Sequence, residues 1–119
     1  MDFKIDKSIP ICPQICDQIA AYIALGELKP NSKLMSVREI AINAGVNPNT
    51  VQKSLEQLEA QGLIYSVRGS GWFVANNTHH AQMHIESLAR LKTNAYFSAM
   101  AQLGFTEADI INYIKEWIK

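Results

Sequence analysis

The chain has 119 residues, enough for one domain with an appendage and too few for a catalytic barrel or a large doubly wound sheet. Its 48% hydrophobic and 18% charged residues supply a core that a disordered chain would lack, and eleven basic side chains cancel eleven acidic ones, so any surface for a polyanion must be local. Two cysteines, Cys12 and Cys16, are too few and too close together for a disulfide framework. With no signal peptide and no apolar run of membrane-spanning length, the expectation is a soluble cytosolic protein without a membrane partner.

The first helix is predicted to start at Pro13, which loses nothing by lacking an N–H at the first helical position, and to end near Gly26, a residue suited to a left-handed cap. Ile15, Ile19, Tyr22 and Ile23 recur on its inner face. Cys12 and Cys16 share a face at i and i+4, but no further ligand lies near them in sequence, so they read as packed thiols rather than a metal site.

Ser36-Val37-Arg38-Glu39 has the form of a capping box, in which serine serves a backbone N–H three residues on and glutamate reaches back. It opens a short helix with Val37, Ile40 and Ala41 inward, stopped at Ala44-Gly45. Asn47-Pro48 combines a cap with a proline at the first helical position and opens a third helix. Val51, Leu55 and Leu58 line that helix until Gly62, while Asn49, Gln52 and Lys53 face outward near its start. Leu63-Ile64-Tyr65-Ser66-Val67 and Trp72-Phe73-Val74 are rich in strand formers and flank Arg68-Gly69-Ser70-Gly71, the pattern of a hairpin. Helix, helix, turn, helix, hairpin is the layout of a winged helix-turn-helix, which places its third helix in the DNA major groove.

Composition shifts at Asn76, Asn77, Thr78, His79 and His80, which predicts a winged domain over residues 1–75 and a second region over 76–119. In that tail Leu88, Leu91, Ala95, Met100 and Leu103, with Phe97 nearby, follow a helical period that Gly104 ends. Thr106-Glu107-Ala108-Asp109 caps a last helix whose Ile110, Ile111, Ile114, Trp117 and Ile118 form a stripe wide enough to need a partner. Either the winged domain or the same helices of a second chain can cover it. A homodimer through this tail matches a two-fold, palindromic operator and is the expectation. The fold class is therefore mainly α with a small β-hairpin wing and a two-helix C-terminal dimerisation tail.

Local charge supports DNA where global charge does not. Over residues 29–54 Lys29, Lys33, Arg38 and Lys53 face a single acid, Glu39, a net charge of +3. No phosphate-binding glycine loop, carboxylate pair or nucleophile elbow is present, so an enzyme is not expected.

Gly26-x-Leu28-x-Pro30, Leu34-x-Ser36-x-Arg38-Glu39-Ile40-Ala41, Val46-Asn47-Pro48-Asn49-Thr50-Val51, Leu58-x-x-x-Gly62-Leu63-Ile64 and Arg68-Gly69-x-Gly71-x-Phe73-Val74 together resemble the GntR family of bacterial transcription regulators. The Asn-Pro-Asn-Thr-Val string and the short two-helix tail resemble its YtrA subgroup. Asn31 and Met35 stand where that family usually has glycine and proline, and Trp72 where it has a small hydroxyl residue. The resemblance implies a repressor that contacts double-stranded DNA through Ser36, Arg38, Asn49, Thr50, Gln52, Lys53, Arg68 and Gly69, with Asn47 as cap or base reader. Side-chain chemistry agrees. Arginine forks onto guanine or phosphate, asparagine and glutamine pair with adenine, helix N-termini favour phosphate, and an arginine beside a glycine at a turn can enter the minor groove.

The resemblance also implies a small-molecule effector, for which 44 residues after Ala75 leave space chiefly between subunits. His80 and His84, at i and i+4 with His79 adjacent, are weak candidates for zinc or nickel, since nothing completes a ligand set. A polar linker entering a solvated helical turn explains them, and no cofactor is expected. The alternative to DNA reading is a winged-helix module for protein assembly, which the zero net charge permits.

Overall fold

The computed structural model describes residues 1–119 as five helices and one hairpin: α1 (Ile11–Ala24), α2 (Val37–Ala44), α3 (Pro48–Ala60), β1 (Ile64–Val67), β2 (Gly71–Val74), α4 (His79–Gln102) and α5 (Glu107–Ile118). Two compact units divide the chain, Met1–Ile85 and Glu86–Lys119. The division falls inside α4, ten residues beyond the expected boundary after Ala75. The polar break does not end the first unit because Ala81 is fully buried and Ile85 packs against the same core as α1 and α3.

The winged helix-turn-helix and its two following helices form as expected. Ile15, Ile19 and Ile23 of α1 meet Val51, Leu55 and Leu58 of α3 and Ile40 of α2 in one apolar cluster. Burying each of these side chains contributes about 1.5–3 kcal/mol. One start differs from expectation: α1 begins at Ile11 with Pro10 as its cap, so Pro13 sits at the third helical position. The first four N–H groups of a helix have no intrahelical partner, so proline is tolerated there too.

Helix α2 is held by the full capping box, with Ser36 Oγ accepting from Glu39 N at 3.1 Å and Glu39 Oε1 accepting from Ser36 N at 3.0 Å. Gly45 closes it in the left-handed region at φ 70°. Asn47 caps α3 by accepting from Asn49 N at 2.8 Å, and Pro48 follows at the first helical position.

The hairpin is antiparallel and pairs Ile64 with Val74, Tyr65 with Phe73, Ser66 with Trp72 and Val67 with Gly71. Ile64 and Val74 face the core, while the Tyr65 and Phe73 rings stack on the other face with centroids 5.7 Å apart. The segment before α2 joins this sheet through a single bridge between Lys33 and Phe73, backed by Asn31 N to Val74 O at 2.8 Å and Leu34 N to Trp72 O at 2.8 Å. Asn31, standing where the resembled family has glycine, adopts φ 63°. Asparagine is among the few non-glycine residues that tolerate this region.

Residues 1–10, unassigned by the sequence, strap the first unit. Phe3 enters the core, and its N–H donates to Asn43 Oδ1 of α2 at 2.9 Å. Gln18 binds Lys4 through both backbone groups at 2.9 and 2.7 Å, and Tyr22 Oη donates to Asp2 O at 2.6 Å. In the second unit the Thr106 and Asp109 capping box opens α5, and the Phe105 and Tyr113 rings meet edge to face at 5.4 Å. No helix is long and apolar enough to cross a membrane.

Candidate nucleic-acid interface

Three elements of the first unit present the residues nominated for DNA. Ser36 and Arg38 lie at the N-terminus of α2, Asn49, Thr50, Gln52 and Lys53 on the first two turns of α3, and Arg68 and Gly69 in the turn between β1 and β2. All are exposed except Thr50, which is half-buried. Their free chemistry differs. Arg38, Lys53 and Arg68 have no carboxylate within ion-pair distance, since the only ion pairs join His84 to Asp17 and Arg90 to Glu86. Three exposed cations without intramolecular anions are available to phosphates or base edges.

Ser36 Oγ accepts the Glu39 N–H at the mouth of α2. The same box holds the Glu39 carboxyl below the usual carboxylate range, through the Ser36 backbone N–H first and the Ser36 side chain second. Gln52 Nε2 donates to Glu56 Oε1 at 3.2 Å, which aligns the amide along the helix surface. Asn47, nominated as cap or reader, has its amide oxygen on Asn49 N, so capping occupies the atom that adenine's N6 amino group would need.

The wing is tied on both edges, to α3 and to the segment that precedes α2. Glu59, late in α3, accepts from Ser66 N and from Ser66 Oγ, both at 2.8 Å, and the Lys33 bridge holds the other strand. A groove of about 590 Å³ runs between the wing and the start of α2, lined among others by Lys33, Ser36, Glu39, Ser70 and Trp72. It brings Ser36 next to the wing turn. Lys33 and Ser70 were not nominated by the sequence, although Lys33 stood in the basic count. Their signal is spatial, because the bridge to Phe73 spans 40 residues. Trp72, standing where the resembled family has a small hydroxyl residue, lines this groove and packs against the core.

The histidines are placed elsewhere. His84 Nε2 lies 2.8 Å from Asp17 Oδ1 and ties α4 to α1, while the His80 ring packs over Gly62, where an added Cβ would approach it to 3.3 Å. No three or more His, Cys, Asp or Glu side chains gather at metal-binding distances. Of the residues nominated for the dimer, Ile110 is buried within the single chain and cannot face a partner. Leu88, Met100 and Ile114 are half-buried and Ala95 is exposed. Leu91, Leu103, Ile111, Trp117 and Ile118 are exposed, Trp117 at 88%.

A short capped helix, a glycine turn, a proline-started helix and a tethered hairpin with unpaired cations define a winged helix-turn-helix DNA-binding protein. Residues 13–74 match the family of bacterial regulatory proteins known as the gntR family, and the chain belongs to it. It is similar to the HTH-type transcriptional repressor YtrA of Bacillus subtilis, 33% identical over 119 residues, 95% of this chain and 85% of that protein. Among solved structures it resembles a GntR family transcriptional regulator from Listeria monocytogenes with a TM-score of 0.82 and 34% identity, covering 94% of this chain and 98% of that one. It also resembles the AraR DNA-binding domain in complex with operator ORE1, with a TM-score of 0.55 and 31% identity over 63% of this chain and 94% of that one. The chain is thus a GntR-type transcription regulator.

Proposed function

We propose that the chain is a repressor that occupies a palindromic operator as a homodimer. Arg38, Asn49, Gln52 and Lys53 read and clamp the major groove, Ser36 and Thr50 take phosphates at helix N-termini, and Arg68 with Gly69 enters the flanking minor groove. The observation that carries this reading is the set of three exposed cations, Arg38, Lys53 and Arg68, one on each element and none paired within the chain. Similarity to repressors such as YtrA of Bacillus subtilis supports repression rather than activation.

The dimer rests on the second unit. Leu91, Leu103, Trp117 and Ile118 expose large apolar side chains on α4, the turn after it and α5, more than a lone pair of helices leaves bare without a partner. A second copy supplies the matching apolar surface and the two-fold symmetry that a palindrome needs. An effector would act through the same unit, where Phe105, Asp109, Asn112, Tyr113 and Glu116 line a recess of about 250 Å³.

Sedimentation at micromolar concentration tests the assembly. The wild type is expected at twice the 13.3 kDa chain mass, and Trp117→Asp at the mass of one chain. A wild type that sediments only as a monomer, free and on a duplex carrying both half-sites, would remove the homodimer from the reading.

A further inference from the structure

The two cysteines do not sit idle at the back of the helix. Cys12 and Cys16 of α1 point at α3 and converge on one atom, the Gln57 amide oxygen, at 3.5 Å from Cys12 Sγ and 3.7 Å from Cys16 Sγ. Ser54 stands beside them, its Oγ 3.1 Å from Cys12 Sγ, and Cys16 Sγ lies 3.4 Å from the Ser54 carbonyl. Cys12 is half-buried, Cys16 buried and Gln57 exposed, so the pair runs from the surface inward along a polar niche between α1 and α3. No third ligating side chain joins them.

We infer that Cys12 and Cys16 form a two-coordinate site for a soft monovalent cation of the copper(I) class, between α1 and the DNA-reading helix α3. Soft thiolates select such ions, and linear coordination by two sulfurs needs no further ligand, whereas zinc asks for four. The binding step is an exchange without redox change. Two S–H bonds break, two S–metal bonds form, and two protons leave to solvent. The resulting bis-thiolate carries one negative charge, and the niche can answer it. Rotation of the Gln57 amide turns its NH2 toward the sulfurs, and the Ser54 hydroxyl, which also lies 2.8 Å from Thr50 O, can donate to Cys12 Sγ instead.

That last exchange reaches the proposed operator surface, because Thr50 lies in the first turn of α3. Occupancy would then alter operator affinity, a consequence that rests on reading α3 as the DNA helix; cation binding itself does not rest on it.

The test is anaerobic titration of the full reduced chain with copper(I) against a chromophoric copper(I) chelator. One equivalent and an ultraviolet thiolate-to-copper absorption are expected, with both lost in Cys12→Ser. Cys12 is the position of choice because its replacement leaves the buried Cys16 in place, and a thermal melt of the variant confirms folding. A wild type that takes up no stoichiometric copper(I), or a folded Cys12→Ser that binds it equally well, overturns the site. Copper(I) binding in a chain that binds no duplex would sustain the site while refuting the DNA reading of α3.

Discussion

Glu59 holds the wing by one carboxylate oxygen that accepts both the backbone N–H and the hydroxyl of Ser66, each at 2.8 Å. The link joins the last turn of α3 to the third residue of β1, so the orientation of Arg68 relative to α3 depends on it. Hydrogen bonds to a charged group contribute about 1.5–3 kcal/mol when shielded and less at a half-exposed position such as this.

Glu59→Ala is therefore expected to lower stability in urea by about 1 kcal/mol and to weaken duplex binding beyond that cost, because a loosened wing must be ordered again on DNA. Arg68→Ala should weaken binding similarly with stability within about 0.5 kcal/mol of wild type. Binding unchanged in both variants would take the wing out of the interface.

Asn31 carries a backbone strain that its neighbours accept. Its φ of 63° suits asparagine and glycine, and its side chain donates to Asn76 Oδ1 at 2.9 Å and accepts from Tyr65 Oη at 3.2 Å. Asn31→Gly should lose only these exposed hydrogen bonds, while Asn31→Ala should cost about 1–2 kcal/mol more for the left-handed backbone. Chemical denaturation of the two variants side by side checks the order, and equal stability would contradict it.

Acid should loosen the start of α2. The Glu39 carboxyl titrates below its ordinary value of 4.5 because it accepts the Ser36 N–H, so the folded state favours the ionised form. A group lowered by folding stabilises the protein above its unfolded value and loses that contribution as pH falls through the folded value. Thermal melts between pH 6 and pH 3 should thus show a drop below about pH 4.5 that is smaller in Glu39→Gln, whose amide oxygen can accept the same N–H at any pH. Identical acid profiles would show that this box contributes no pH dependence.

The elements legible in sequence were those set by neighbouring residues. Ser36 with Glu39, Asn47 with Pro48, Gly45 and the Arg68-Gly69 turn each encode their local geometry within four residues, and the structure forms all of them. What escaped depends on distant partners. Phe3 belongs to a segment without a sequence signal of its own until Asn43 and Gln18, 40 and 14 residues from their partners Phe3 and Lys4, hold that segment against the core. Lys33 is one basic residue among several until its bridge places it in the groove with Ser36. The stripe on α5 was correctly apolar, but which of its members turns inward depends on packing, and Ile110 does. For the contact residues themselves, the sequence motifs and the exposed, unpaired cations point to the same surface by separate routes.

The most direct measurement is enrichment of duplexes from a random pool by the purified chain, followed by binding of the winner across a salt series with wild type, Arg38→Ala and Lys53→Ala. A palindromic winner is expected, with Arg38→Ala costing about 1–3 kcal/mol and relaxing the preference at one position in each half-site. Lys53→Ala should weaken all duplexes alike and reduce the slope of log affinity against log salt by about one. No enrichment, or a winner whose affinity and salt slope are indifferent to both substitutions, would contradict DNA recognition through α2 and α3.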